Sequence, residues 1–175
     1  RLDDGHVRWF DIDLPEVIEL RRTFFTESDR RQLIPRSLLD FAWIDDLVRQ
    51  PDENVLVIAE GVLHYFPERE VRGLMTQIAD RLPGADLVVH TTSPACVGYQ
   101  SRNRVFKTFQ APFAWGIASA RELTTWDPRI EFVSEEAFVD RHPRRWRWLR
   151  WAKAIPGIGT ELRASMKIAH LRFRS

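Results

Sequence analysis

The stretch Asn54 to Glu68, NVLVIAEGVLHYFPE, limits what this chain can fold into more than any other. Val55-Leu56-Val57-Ile58-Ala59 is apolar, largely β-branched and too short to be a helix of its own. It reads as a strand buried on both faces. The run ends abruptly in Glu60-Gly61. A carboxylate at the carboxyl end of a buried strand sits where open α/β sheets bind ligands. Gly61 suits a sharp turn or a close approach of backbone to ligand. Pro67-Glu68 then opens a helix, with proline suited to the first turn.

A second segment repeats the pattern. Val7 to Asp13 reads as a strand, followed by Leu14-Pro15-Glu16 and a helix-like run through Arg22. Asp13 therefore also stands at a strand's carboxyl end, just before a helix. In nucleotide-binding α/β folds an acid at this point accepts hydrogen bonds from ribose hydroxyls. Helix capping by Asp explains the same placement. Two acids at equivalent positions of two strands favour a ligand.

The 175 residues suffice for one domain with a sizeable core, and 44% hydrophobic content marks a globular chain. Lys+Arg number 26 against 25 Asp+Glu, a net charge of +1 that does not suggest a dedicated nucleic-acid binder. The single cysteine, Cys96, rules out an internal disulfide and fits a reducing cytoplasm. No apolar run approaches a membrane span. There is no CxxC and no histidine pair at metal spacing, so no metal site is expected. The chain opens on Arg1 and runs almost directly into a strand, so a missing upstream part is expected.

Six strands are expected: Val7 to Asp13, Gln32 to Ser37, Val55 to Glu60, Ala85 to Thr91, Arg129 to Phe138 and Lys167 to Arg174. Pro35 places the second at an edge. Helices are expected over Pro15 to Phe25, Phe41 to Val48 and Pro67 to Leu82, the last with an apolar stripe of Val71, Leu74, Met75, Ile78 and Leu82. Pro83-Gly84 stops it. Ser93 to Phe113 is a mixed insertion, and Ser119 to Leu123 looks like a helix start. The alternation implies a mostly parallel, doubly wound sheet. The chain ends on a strand, which suits an antiparallel hairpin at a sheet edge.

The segments WFDIDLPEVIELRR (Trp9 to Arg22), SLLDFAWIDDL (Ser37 to Leu47), VLVIAEGVLHYFPE (Val55 to Glu68), FAWGI (Phe113 to Ile117) and HLRF (His170 to Phe173) resemble the leucine carboxyl methyltransferase family. They look closest to its bacterial branch, the O-methyltransferases of polyketide biosynthesis. The resemblance implies an α/β, class I methyltransferase (Rossmann-like) fold: a doubly wound sheet with an antiparallel C-terminal hairpin, lacking its first strand in this chain. It implies S-adenosylmethionine as cofactor. Asp13, with Leu14 beside it, would bind the ribose hydroxyls. Ser37, Leu38, Leu39 and Asp40 would contact the adenine, chiefly through backbone groups. Glu60, with Gly61, would lie beside the methionine end of the cofactor. The family's glycine-rich loop is absent here and should lie upstream of Arg1. Residues 1–175 are thus expected to form a single domain, the C-terminal part of a longer methyltransferase domain. A homo-oligomer or the missing N-terminal segment would complete the sheet.

A carboxylate acceptor for the methyl group needs no general base, whereas a hydroxyl acceptor usually does. His64 and Tyr65 are the candidate catalytic residues, His64 being the better base; packing or helix capping is the favoured account of His64. The Arg- and Trp-rich run Arg141 to Trp151 reads foremost as a surface helix with inward aromatics, with nucleic acid or membrane binding the competing reading. Cys96 reads as a small buried residue. Tyr99, Phe106, Phe109 and Phe113 could form an acceptor lid or ordinary core. The expected function is a cytoplasmic S-adenosylmethionine-dependent O-methyltransferase acting on a small-molecule carboxylate or hydroxyl, with neither nucleic acid nor membrane as partner. The alternatives are a non-catalytic fragment that associates with a partner chain and a nicotinamide-dependent Rossmann enzyme.

Overall fold

The computed structural model describes residues 5–47, 53–102, 111–138 and 165–175. The chain divides into two compact units, residues 1–53 and 54–175, each built around its own strands.

The N-terminal unit is a strand–helix–strand turn of the chain. β1 (Trp9–Asp13) leads through α1 (Pro15–Arg22) to β2 (Arg31–Pro35), and the strands pair in parallel from Trp9↔Arg31 to Asp13↔Pro35. Local chemistry explains α1. Pro15 occupies its first turn with Glu16, and Arg21 and Arg22 end it, so both ends match the helix dipole. Ile18 is its buried residue, and Leu33, Ile34, Trp43 and Ile44 are the other buried apolar residues of this unit. Asp11 ties the layer together, accepting ion pairs from Arg21 and Arg31 at 3.5 and 3.2 Å. The helix expected over Phe41 to Val48 is one turn, α2 (Trp43–Asp46), with the Trp43 indole donating to Leu38 O at 3.1 Å.

The C-terminal unit carries β3 (Leu56–Ala59), α3 (Glu68–Arg81), β4 (Asp86–Thr92), α4 (Pro94–Arg102), β5 (Ile130–Ala137) and β6 (Met166–Phe173). Its four-stranded sheet runs β3-β4-β6-β5, parallel between β3 and β4 and antiparallel elsewhere. The expected antiparallel hairpin is present at the sheet edge, with β5 outermost and β6 between β4 and β5. Ala169, Leu171 and Phe173, at alternate positions of β6, are all fully buried and form its core-facing side. The stripe on α3 packs as its spacing requires, with Val71, Leu74, Met75, Ile78 and Leu82 all buried. Gly84, at φ 83°, makes the turn after α3 and donates to Phe173 O at 2.7 Å. Arg129 fastens β5 to the end of α3 by donating to Asp127, Asp80 and Ala79 O.

Two expectations are corrected here. β3 is not buried on both faces: Leu56 and Ile58 are 57% and 55% exposed, while Val57 and Ala59 turn inward. Its apolar run reflects a strand with one covered face, paired among the described residues with β4 alone. Cys96 is not fully buried but half-buried, on the first turn of α4. The segment Arg141 to Lys153, with Phe106 and Phe109, lies outside the described residues.

Candidate functional site

Both parallel strand pairs place acids at their carboxyl ends. In the N-terminal unit the register sets Asp13 beside Pro35, the last residue of β2. Asp13 does not cap α1. Leu14 occupies the cap position, and the Asp13 Oδ1 accepts only from the adjoining Leu14 N–H at 2.9 Å. The other carboxylate oxygen has no partner among the described residues, so the capping explanation accounts for none of its acceptor capacity. The loop after β2 is tightly organised. Ser37 Oγ accepts from Leu39 N–H, and Ser37 O from Asp40 N–H. Asp40 is engaged in structure: Arg36 donates to it at 2.9 Å and Ala42 N–H donates to its other oxygen. The Arg36 guanidinium holds the Asp40 carboxyl below the usual range. What Ser37, Leu38 and Leu39 leave for a ligand is mostly backbone, with Leu38 O already bound to Trp43.

In the C-terminal unit Glu60 follows β3 directly and is exposed, with no hydrogen bond or ion pair among the described residues. Gly61 takes φ 68°, a left-handed conformation, and nothing lies within 4 Å of a built Cβ. Glycine is needed there for its backbone rather than for space. The turn delivers the chain into a single 3₁₀ turn, Leu63–Tyr65, that buries Leu63 and His64.

His64 is 4% exposed and lies in a cluster of rings. Tyr65, Phe113 and His90 have their centroids 4.4, 4.1 and 5.6 Å from it. His90 comes from the carboxyl half of β4, and Phe113 opens the FAWGI segment. That segment is pinned in place: Ala114 N–H donates to His64 O at 2.7 Å and Ile117 N–H to Thr92 O at 2.8 Å. Gly116 makes the approach feasible, since a Cβ there would stand 2.8 Å from Thr92 O and 2.9 Å from Ser93.

The electrostatics of the cluster follow from burial. Desolvation, with a smaller push from His90, lowers the His64 pKa from 6.5 to about 4. Burial also lowers that of His90, against a pull upward from the Glu60 carboxylate. Both imidazoles are neutral at pH 7. His64 Nδ1 and His90 Nε2 are buried and have no hydrogen-bond partner. Tyr65 is 41% exposed and forms the outer side of the cluster. His64 is thus a packed residue with an unused base nitrogen, so neither sequence explanation excludes the other. His90 escaped sequence reading, although a histidine near the carboxyl end of an apolar strand is the same signal that singled out Glu60. Gly116 stood within a quoted motif, but nothing local reveals its backbone contact.

Residues 1–79 match the family model for leucine carboxyl methyltransferase. Over 134 residues the chain is 28% identical to the tetracenomycin polyketide synthesis O-methyltransferase TcmP of Streptomyces glaucescens, covering 77% of this chain and 49% of that protein. The chain thus spans about half the length of the curated relative it matches. Its fold is similar to a DUF574 family protein from Streptomyces avermitilis, with TM-score 0.62 and 15% identity over 98% of this chain and 78% of the other. It is also similar to the O-methyltransferase NcsB1 of neocarzinostatin biosynthesis, solved with S-adenosylmethionine and 2-hydroxy-5-methyl naphthoic acid. There the TM-score is 0.53 and the identity 13%, over 94% of this chain and 41% of the other. The fold is that of the class I methyltransferases. Over residues 1–79 the chain is similar to the leucine carboxyl methyltransferase family, and a polyketide O-methyltransferase is among the proteins it resembles.

Proposed function

We propose that this chain forms part of an S-adenosylmethionine-dependent O-methyltransferase acting on a small-molecule carboxylate or hydroxyl in secondary metabolism. The observation that carries the reading is the uncommitted carboxylate at the end of β1 and again after β3, in a chain that matches a methyltransferase family over residues 1–79. Taken unit by unit, the donors suit parts of the cofactor. Asp13 keeps a free oxygen for ribose hydroxyls, with Leu14 beside it, and Ser37, Leu38, Leu39 and Asp40 offer an ordered loop edge for an adenine ring. Glu60, free of partners, suits an ammonium group, and Gly61 leaves its surroundings open. When bound, S-adenosylmethionine supplies an electrophilic methyl group. The chain's own part is to bind, orient and exclude water, from which most of the rate gain in such a displacement comes. A hydroxyl acceptor would also need its proton held, a role for His64, with Tyr65 at the rim.

The open strand edges belong to the same reading. Among the described residues β1 pairs only with β2 and β3 only with β4. Unpaired edges beside exposed apolar residues such as Trp9, Leu56 and Ile58 are a liability in an isolated chain. A strand from an N-terminal segment, or from a second copy, is proposed to cover them. No helix among the described residues is long and apolar enough to cross a membrane. The single cysteine supports a cytoplasmic setting.

Calorimetric titration of S-adenosylhomocysteine into the native protein carrying this chain tests the reading. Asp13→Ala and Glu60→Gln are each expected to weaken binding at least about tenfold, the scale of one lost charge-assisted hydrogen bond. Unchanged affinity in both variants, or no binding by the unaltered protein, would reject it.

A further inference from the structure

Residues 113–119 form a strap with no helix or strand of its own, leading into the 3₁₀ segment Ala120–Thr125. Its position therefore depends on individual contacts, and these run along one end of the four-stranded sheet. Near Phe113 the strap meets His64, just past β3, through the ring contact and the Ala114 N–H bond to His64 O. Phe113 N–H also donates to the buried Gln100 side chain at 2.5 Å. At Gly116 and Ile117 the strap lies against Thr92, the last residue of β4. Its far end reaches β6 and β5 on the same side of the sheet, where Lys167 pairs in register with Thr91 and with Ala137.

That far end is held by charge. Lys167 Nζ donates to Ala118 O at 2.7 Å and to Glu135 Oε2 at 2.9 Å. Glu135 in turn accepts from Ala120 N–H at 2.7 Å and from the Ser119 hydroxyl at 3.2 Å. The two side chains are only 18% and 12% exposed. A largely buried ion pair adds little net stability over an apolar pair of similar shape, yet losing one partner strands the other charge. It is therefore better suited to fixing a geometry than to holding a fold together. Both side chains direct further hydrogen bonds to residues 118–120, so the pair selects one register for the strap.

We propose that Lys167 and Glu135 are positioning residues for the methyl-transfer site, acting through the strap on Phe113 and the turn that carries His64. This rests on the methyltransferase reading above and holds for a carboxylate or a hydroxyl acceptor. Neither residue touches the His64 ring. Each sets where the strap begins its return across the strand ends, and the strap sets the aromatic cover of His64 and holds its backbone carbonyl. A misplacement of roughly 1 Å at a reacting centre can cost about a hundredfold in rate.

The test combines ¹⁵N-histidine NMR, following His64 through its titration, with amide hydrogen exchange, both on the native protein. S-adenosylhomocysteine binding by the unaltered protein is measured in parallel by calorimetry. In Lys167→Met and in Glu135→Ala, checked for folding by circular dichroism, the His64 titration is expected to move at least halfway from about 4 toward 6.5. Exchange at the Ala114 and Ile117 amides is expected to quicken at least about tenfold while the amides of β4 stay protected. Lys167→Arg, which keeps the charge and the donors, is expected to restore both. The sign separates strap from field. Loss of the lysine charge alone would raise the His64 titration and loss of the glutamate charge alone would lower it, whereas a freed strap raises it in both. Opposite movements, or a titration still near 4 in both variants, would overturn the proposal. So would open-chain exchange rates at Ala114 and Ile117 in the unaltered protein, a measurement that needs no variant to fold. S-adenosylhomocysteine binding alongside any of these failures would confine the failure to the ion pair. Its absence would remove the methyltransferase reading as well.

Discussion

The carboxyl ends of the two parallel strand pairs are topologically alike and chemically opposite. In the β1–β2 unit the carboxylates are mostly satisfied: Asp11, within β1, by two arginines, and Asp40, after β2, by Arg36 and Ala42. Past β3 Glu60 is exposed, but His64 is buried among rings and His90, within β4, is half-buried beside it, each with one ring nitrogen unpartnered. One topological position can thus serve polar recognition through carboxylates and backbone, or apolar recognition through uncharged imidazoles. Solvent access decides which, because burial selects the neutral form of a histidine while an exposed carboxylate stays charged.

The comparison predicts that the C-terminal unit is the more sensitive to packing and acid. The largest effect should come from Gly116→Val. Its branched side chain would collide with the backbone of Thr92 and Ser93. A loss of about 3 kcal/mol in chemical denaturation is expected, with the His64 titration moving back toward 6.5 as the ring cover loosens. A full-stability variant would show that FAWGI is not clamped against β4.

Acid should come next. His64 titrates near 4 in the folded chain against 6.5 when unfolded, so between these values the unfolded state binds the extra proton. Stability is therefore fully present above about pH 6.5 and falls as pH drops toward 4, by at most about 3 kcal/mol. His64→Gln should flatten the slope of stability between pH 6.5 and 4, leaving a smaller slope from His90. An unchanged slope would mean that His64 is hydrated in solution.

Asp127→Asn should act more weakly and at lower pH. Asp127 is held to about 2 by the Arg129 guanidinium, so its stabilisation is lost only as pH falls below about 3.8. The substitution should cost about 1 kcal/mol at pH 7 by loosening the tie from β5 to α3, read from a urea midpoint. Arg36→Ala in the N-terminal unit should change stability least, because its pairs with Asp40 and Asp46 are exposed. A larger loss there than for Asp127→Asn would reverse the contrast between the units.

Much of this was legible from local chemistry. Strand and helix ends fell within a residue or two where Pro15, Pro67 and Pro83-Gly84 punctuate the chain, because proline and glycine act through their own backbone. Asp13, Glu60 and His64 were visible because polar residues stand out against apolar runs. The exposure of Leu56 and Ile58 was not visible, since a run of apolar residues reads alike whether one face or two are covered. The role of Gly116 depends on a backbone 24 residues earlier in the chain, at Thr92.

By itself the sequence determined the alternation of strands and helices, the acids at strand ends and the family resemblance, all of which depend on neighbours within one element or one turn. The tertiary structure alone decided that β6 inserts between β4 and β5, that Asp40 is bound to Arg36, and that His90 joins His64 among aromatic rings. Each of these is a pairing of distant residues. Burial and electrostatics depend on what lies nearby in space, which residue order alone does not specify.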